Sequence, residues 1–177
     1  FEDNVHLCMT GGEPLLGWQK AYVELFQQPE LVNLEHLTFE TNGSKMVQQV
    51  LIDYFNNTNA MFTEVTWMVS PKLSLTGEDQ NVTIDPECLL SMNKVLNSNI
   101  NLKFVVRDEI DLAEVEAALA AYEEAGVEIE DVFLMPEGAT LEGQELTEKN
   151  VAELCMREGY KFSPRLHINL FGNSWGT

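Results

Sequence analysis

Short apolar runs alternate along the chain with longer stretches in which apolar residues recur at helical spacing. We predict strands at the apolar runs, which are rich in β-branched and aromatic residues: residues 5–9, 36–40, 65–69, 102–106, 132–135 and, more weakly, 160–162. We predict helices at the amphipathic stretches between them: residues 16–27, 44–55, 86–96, 112–125 and 147–158. Strands that alternate with helices in this way are typical of βα units feeding a parallel sheet.

One helix has clear start and stop signals. Asp111 followed three residues later by Glu114 resembles a capping box, and Gly126 can adopt the left-handed conformation found just past a helix. No repeat, low-complexity tract or interdomain linker is evident, so residues 1–177 are expected to form a single domain.

The segments that follow the predicted strands are polar or contain glycine or proline, unlike the strands themselves. They are residues 10–14, 41–43, 70–72, 107–108, 136–138 and 163–165. Because the carboxyl ends of parallel strands emerge at one edge of a sheet, these segments are expected to surround one pocket.

Composition narrows the classes of function. The 177 residues carry 29 acidic and 10 basic side chains, a formal net charge of −19, which repels nucleic acids and anionic lipid surfaces. No apolar run approaches the roughly 20 residues of a membrane helix. Three widely spaced cysteines fit neither a disulfide framework nor a local metal motif. We therefore expect a soluble, cytoplasmic protein that binds neither nucleic acid nor membrane.

The segment after the first predicted strand is the first candidate binding motif. Gly11 and Gly12 leave backbone groups open to a ligand, Glu13 adds a carboxylate, and Pro14 restricts the turn that follows. Such a run also occurs in ordinary turns. Its position after a strand favours binding, and residues 9–16 resemble the motif with which radical S-adenosylmethionine (SAM) enzymes hold the methionine end of their cofactor.

Four later motifs narrow this resemblance. They are Phe-Glu-Thr-Asn-Gly at 39–43, Val-Ser-Pro-Lys-Leu at 69–73, Leu-Met-Pro-Glu-Gly at 134–138 and Ser-Pro-Arg-Leu-His at 163–167. In their order and approximate spacing they resemble the 7-carboxy-7-deazaguanine synthases, over essentially the whole chain from residue 5. The resemblance implies an α/β fold: an incomplete TIM-like βα barrel of parallel strands, of the radical SAM type.

The resemblance also implies roles for particular residues. Those expected to bind SAM are Gly11, Gly12, Glu13, Thr41, Asn42, Ser70, Pro71, Lys72, Met135, Pro136, Glu137 and Gly138. Their types suit the ligand, since SAM requires hydrogen-bond donors, acceptors and free backbone groups. Thr10 is expected to touch a pterin substrate.

Arg165 and His167 are assigned to the same substrate. They lie two residues apart, so on an extended segment both would face one side and could clamp an anion. An arginine covering the barrel edge and a structural histidine remain the alternative. His6 and His36 are interpreted as structural, and no catalytic residue is assigned.

Cys8, Cys88 and Cys155 are interpreted as small apolar residues of the core rather than as cluster ligands. The family holds a 4Fe-4S cluster with three clustered cysteines, which we expect, together with the first barrel strand, before Phe1. The 177 residues alone are then expected to be inactive. Mg²⁺ is implied as well, with no ligand in this chain.

The implied reaction converts 6-carboxy-5,6,7,8-tetrahydropterin to 7-carboxy-7-deazaguanine with loss of ammonia, in the biosynthesis of queuosine and other 7-deazapurines. An electron donor such as flavodoxin and a homodimer are also expected. Alternatives are another radical SAM enzyme, such as an activating enzyme, and a catalytically inactive domain that binds SAM or a pterin. An ordinary βα-barrel hydrolase or epimerase is less favoured, because no nucleophile–base pair or metal-ligand cluster stands out.

Overall fold

Six parallel strands form a single sheet in a computed structural model that describes residues 5–31, 33–57, 62–77 and 84–172. The strands are β1 (His6–Met9), β2 (His36–Thr41), β3 (Glu64–Val69), β4 (Ser98–Val106), β5 (Asp131–Pro136) and β6 (Lys161–Phe162). Each pairs in parallel with the next along the chain, in the order β1-β2-β3-β4-β5-β6. Within the described residues the sheet does not close into a barrel. The predicted α/β class and all six predicted strands are confirmed.

Helices follow the strands, as predicted. They are α1 (Gln19–Phe26), α2 (Gln49–Phe55), α3 (Pro86–Asn93), α4 (Glu109–Ala125), α5 (Leu141–Glu158) and α6 (Leu166–Phe171). Short 3-10 turns lie at Pro29–Leu31 and Ser74–Thr76. The last helix, α6, was not predicted, because it is short and begins just after Pro164. None of the helices within the described ranges is long and apolar enough to span a membrane.

The core lies between one face of the sheet and the helices. Along β4, Ile100, Leu102, Phe104 and Val106 are buried, while the residues between them are partly exposed. This period of two places every second side chain in the core. Five aromatic rings fill its centre in contact with one another: Phe26, Phe39, Phe55, Phe62 and Trp67.

The other face of the sheet, here called the open face, is mostly polar. Its side chains include Thr38 and Glu40 on β2, Thr66 on β3, and Asn101 and Lys103 on β4, and all of them retain some solvent exposure. The described helices bury the opposite face and leave this polar surface uncovered, where it can bind polar ligands.

Helix α4 begins three residues earlier than its sequence pattern predicts. The side chain of Asp108, not Asp111, caps it, accepting hydrogen bonds from the amides of Ile110 (2.9 Å) and Asp111 (3.3 Å). The predicted capping box at Asp111 is therefore wrong, because that carboxylate lies inside the helix and binds a different partner. Gly126, with φ of 83°, does end the helix as predicted.

The partner of Asp111 is Arg107, at the end of β4. The guanidinium donates two hydrogen bonds of 2.9 Å to a carboxylate that is only 1% exposed, and the Arg107 amide donates a third of 2.8 Å. The hydrogen bond from the Arg107 side chain lowers the pKa of Asp111 below the ordinary range of aspartate. This ion pair joins the end of β4 to the first turn of α4.

We expect Asp111→Asn to lower the free energy of unfolding by about 2 kcal/mol, because it leaves a charged donor with a weaker acceptor. Because folding lowers the pKa of Asp111, the ionised carboxylate stabilises the folded protein fully at pH values above the ordinary pKa range of aspartate. This stabilisation is lost as the pH falls through the lowered pKa. Urea denaturation at neutral and acidic pH measures both effects. The control, Glu153→Gln, breaks the exposed Lys149–Glu153 pair and should cost about 0.5 kcal/mol or less. Equal losses for the two variants would contradict this account.

Candidate active site

Two cavities lie at the carboxyl ends of the strands. The first cavity, of about 450 Å³, adjoins the loop after β1 and is lined by Thr10, Gly12, Glu13, Pro14, Trp18, Ala21, Tyr22 and Leu25. The second cavity, of about 210 Å³, is lined by Ser70, Pro71, Lys72, Leu73, Leu75, Thr76, Lys103, Val105, Glu137 and Arg165. Segments from distant parts of the sequence thus meet at one edge of the sheet, although they line two cavities rather than the one pocket expected.

Glu13 connects the loop after β1 with the loop after β2. One carboxylate oxygen accepts hydrogen bonds from the Leu15 amide (3.0 Å) and the Thr41 hydroxyl (2.7 Å), and the other accepts from the Asn42 amide (2.8 Å). Three of the lone pairs of the carboxylate are therefore used inside the protein. Glu13 was predicted to contact SAM directly, and in this structure it holds together the two segments predicted to surround that cofactor.

Gly11 and Gly12 border open space. Gly11 has φ of +113°, a backbone conformation that residues other than glycine rarely adopt. A Cβ atom added at either glycine would have no neighbouring atom within 4 Å. The protein itself therefore does not require a glycine at position 12 for packing. A ligand can therefore approach the backbone closely at both positions.

The second cavity collects three of the basic side chains of this acidic protein. Lys72 follows β3, Arg165 follows β6, and Lys103 lies within β4. Ser70 and Glu137 add a hydroxyl and a carboxylate to the same lining. The combination of cations, a hydroxyl and an acceptor suits a polar ligand that carries a carboxylate.

Lys103 lines the second cavity and was missed by the sequence analysis; Glu40 is its partner. They face each other across the open face, with 3.7 Å between Nζ of the lysine and Oε1 of the glutamate. The Lys103 side chain is 19% exposed and lines the second cavity. The available signal was a charged residue inside an otherwise apolar strand, which the search for residues after the strands overlooked.

The segment from Met135 to Gly138 passes the second cavity at the end of β5. Its course is fixed by hydrogen bonds from the Glu137 amide to the Val106 carbonyl (3.0 Å) and from the Thr147 hydroxyl to the Glu137 carbonyl (2.7 Å). Gly138 has φ of +144° and packs against the start of α5, where a Cβ would lie 2.6 Å from the Gln144 nitrogen. Only glycine fits there.

Arg165 and His167 do not form the extended pair that their spacing suggested. Arg165 is the residue before α6 and His167 lies within that helix, so the alternation of a strand does not apply. Arg165 lines the second cavity, and its Nε lies 3.3 Å from the sulfur of Met135. His167 is exposed and belongs to the lining of neither cavity described here.

The three cysteines are all free thiols. Burial raises the pKa of Cys88 to about 12, helped by the hydrogen bond to Asp85, and burial also raises the pKa of Cys155. Cys8 is exposed on the open face, beside Thr38 of β2, so its predicted place in the core is wrong. Across the described ranges no group of three His, Cys, Asp or Glu residues could hold a metal ion, and these thiols do not fit an iron–sulfur cluster.

The histidines of β1 and β2 lie at the opposite end of the open face from the cavities. His6 is 2.7 Å from the Thr38 hydroxyl, and His36 is 3.1 Å from the Glu64 carboxylate. Asn99 donates to the same carboxylate over 3.0 Å. These contacts join neighbouring strands, in agreement with their structural interpretation.

Comparison with known proteins finds relatives along almost the whole chain, although no protein-family model matches it. The 7-carboxy-7-deazaguanine synthase of Halobacterium salinarum is 31% identical over 192 residues, covering 98% of this chain and 68% of that protein. The 7-carboxy-7-deazaguanine synthase of Pyrobaculum aerophilum is 30% identical over 174 residues, covering 97% of this chain and 67% of that protein. This chain therefore spans about two thirds of the length of each relative.

A solved structure supports the fold. QueE from Escherichia coli superimposes with a TM-score of 0.53 at 21% identity, over 90% of this chain and 56% of that one. Parallel βα units with glycine-containing, charged loops at the strand ends define an α/β fold of the kind found in cofactor-binding enzymes. On the strength of the two relatives, the chain belongs to the 7-carboxy-7-deazaguanine synthase family, whose members are lyases.

Proposed function

We propose that the protein containing this chain converts 6-carboxy-5,6,7,8-tetrahydropterin to 7-carboxy-7-deazaguanine and ammonia, in queuosine-type 7-deazapurine biosynthesis. The observation that carries the proposal is 31% identity to a named synthase over 98% of the chain. The reaction contracts a ring and is redox-neutral overall, since product and ammonia together contain all the atoms of the substrate. SAM would supply the radical that starts it; the chain's own residues bind, orient and shield the reactants.

The loop after β1 is the proposed site for the methionine end of SAM. Beside Gly11 and Gly12 there is room for a ligand to reach backbone groups, and Glu13 fixes the loop against Thr41 and Asn42. The free lone pair that remains on Glu13 can accept a hydrogen bond from the amino group of the cofactor. Thr10 lines the same cavity and is proposed to touch the pterin.

The second cavity is the proposed site for anionic and hydroxyl groups. Lys72 and Ser70 are assigned to SAM, with the backbone from Met135 to Gly138 and the ring of Pro71 alongside. Arg165 and Lys103 are assigned to carboxylate binding, because both line this cavity and carry the required charge. His167 is also proposed to bind substrate, although it would have to do so from the exposed surface of α6.

The remaining components are proposed from the family. The described residues do not fit a 4Fe-4S cluster. We expect the reaction to require Mg²⁺ and an electron donor such as flavodoxin, and the protein to act as a homodimer. Each is tested directly, by metal chelation, by replacing dithionite with reduced flavodoxin, and by sedimentation.

The decisive experiment uses the protein expressed from its gene with whatever segment precedes Phe1. After anaerobic cluster reconstitution, it is incubated with SAM, dithionite, Mg²⁺ and 6-carboxy-tetrahydropterin, and the products are identified by mass spectrometry. Formation of 7-carboxy-7-deazaguanine supports the proposal. Cleavage of SAM without conversion of the pterin would reject the substrate, and absence of both cluster and SAM cleavage would favour a binding domain.

Lys103→Met provides a test of the second cavity. The pterin carries a carboxylate, so removing a partly buried cation from the second cavity should raise KM for the pterin about tenfold. Steady-state kinetics with each substrate varied in turn measures this. Lys20→Met, at an exposed position of α1, is the control and should leave both KM values unchanged. Equal kinetics for the two variants would remove Lys103 from the site.

A further inference from the structure

Gln19, the first residue of α1, is a buried polar side chain that no sequence motif accounts for. It is only 1% exposed. Its Nε2 donates to the carbonyls of Leu15 (3.0 Å) and Met46 (2.8 Å), and its Oε1 accepts from the Gln48 amide (2.6 Å). Both amide hydrogens and the carbonyl oxygen are therefore used, all by backbone groups.

These backbone groups belong to the two loops that Glu13 also connects. Leu15 lies in the loop after β1, and Met46 and Gln48 lie in the loop after β2, just before α2 begins at Gln49. A helix was predicted from residue 44. The segment is irregular instead, and its backbone groups bond to side chains from other elements, including Ser91 of α3, which accepts from the Val47 amide (2.8 Å).

The arrangement has a specific consequence for ligand binding. Glu13 joins the two loops beside the first cavity, and Gln19 joins them a second time from inside the core. Two connections restrict relative rotation as well as separation. Loops held in this way keep their backbone groups in place before a ligand arrives, and this lowers the entropy cost of binding.

We propose that Gln19 is a positioning residue that holds the loop after β1 against the loop after β2 and thereby sets the affinity for SAM. The inference rests on the proposed function, since it assumes that SAM occupies the loop after β1. Gln19 acts through Leu15, Met46 and Gln48 and does not touch the ligand.

Gln19→Glu turns this role into a pH-dependent one. The new carboxyl group can donate one hydrogen bond when protonated and none when ionised, and the ionised form faces the carbonyl oxygens of Leu15 and Met46. Burial and these carbonyls raise its pKa, so SAM binding should weaken as the pH rises through that value. We expect a dissociation constant about tenfold higher than wild type at about pH 9, and a smaller difference at about pH 6.

The measurement is calorimetric titration of the reconstituted protein with SAM, after wild type has been shown to bind SAM and form product. Failure of wild type rejects the proposed function; a normal wild type with a Gln19→Glu variant that binds SAM equally well at both pH values rejects only this inference. Gln28→Glu is the control, because Gln28 is exposed and its side-chain NH₂ group donates to the Glu24 carbonyl of α1 rather than to either loop. It should show no such pH dependence.

A second readout distinguishes a purely structural role of Gln19. With such a role, Gln19→Glu would lower the melting temperature at every pH and leave the SAM affinity of the folded molecules unchanged, which would overturn the proposal. If Gln19→Glu does not fold, Gln19→Met takes its place, with a side chain of similar length that makes no hydrogen bonds. We then expect KM for SAM to rise about tenfold while kcat and KM for the pterin stay within about twofold. Unchanged KM for SAM would overturn the inference.

Discussion

Glu13→Ala is expected to lower kcat/KM by about 100-fold, the largest effect of any single side chain at the site. The substitution removes the acceptor for three hydrogen bonds at once, from the Leu15 amide, the Thr41 hydroxyl and the Asn42 amide. Without the Glu13 carboxylate, these donors must bind water instead, and the loop after β1 is no longer held in position. Glu13→Gln should be intermediate, at about tenfold, because in either orientation its NH₂ group faces a backbone donor.

Steady-state kinetics with both substrates measures the Glu13 series. Glu24→Ala, at an exposed position of α1, is the matched control and should retain wild-type rates. If the substitution disturbs only the loops after β1 and β2, the KM for SAM should rise more than the KM for the pterin. If Glu13→Ala keeps wild-type kcat/KM, the carboxylate is not required to order the site.

Gly138→Ala is expected to destabilise the protein by about 3 kcal/mol or more. Two costs combine at this position. The backbone has φ of +144°, and the new Cβ would lie 2.6 Å from both the Gln144 nitrogen and the Gly143 carbonyl carbon. Neither contact can be relieved by turning a side chain, because both atoms are backbone. The loop after β5 must move away from the start of α5, so SAM binding should weaken as well.

Gly126→Ala separates the two costs. Gly126 ends α4 with φ of +83°, yet a Cβ there would have no atom within 4 Å. Only the conformational cost applies, and we expect a loss of about 1 kcal/mol. Urea denaturation of both variants gives the comparison. Similar losses would show that the close approach at Gly138 is relieved at little cost.

The alternation of strands and helices could be predicted because the apolar residues of each element recur at the spacing typical of a strand or of a helix. The buried residues of β4, such as Leu102 and Phe104, alternate with partly exposed ones, which fixes both the strand and its buried face. Element boundaries were less accurate where side chains compete for backbone groups. Helix α2 starts at Gln49 because Gln19 and Ser91 bind the preceding amides, and such long-range partners leave no local signal.

The candidate site was predicted in part for a similar reason. Residues after the strands, such as Ser70 and Glu137, could be found because parallel strands deliver them to one edge. Lys103 was missed because it belongs to the open face of a strand, and one sequence does not reveal which face the helices leave uncovered. Cys8 was wrongly placed in the core for the same reason: it lies on the open face, and an apolar run does not show which of its alternate side chains the helices bury.

The order of the strands has a consequence for how the chain acquires its structure. Each described strand pairs with the one made just before it, at a separation of about 30 residues, so no pairing among these six strands has to wait for a distant part of the polypeptide. During synthesis, each new βα unit can therefore add to a sheet that has already emerged from the ribosome. Once β4 has left the ribosomal exit tunnel, β1 to β4 should already be in their native pairing, which makes this sheet suited to cotranslational folding from one end to the other.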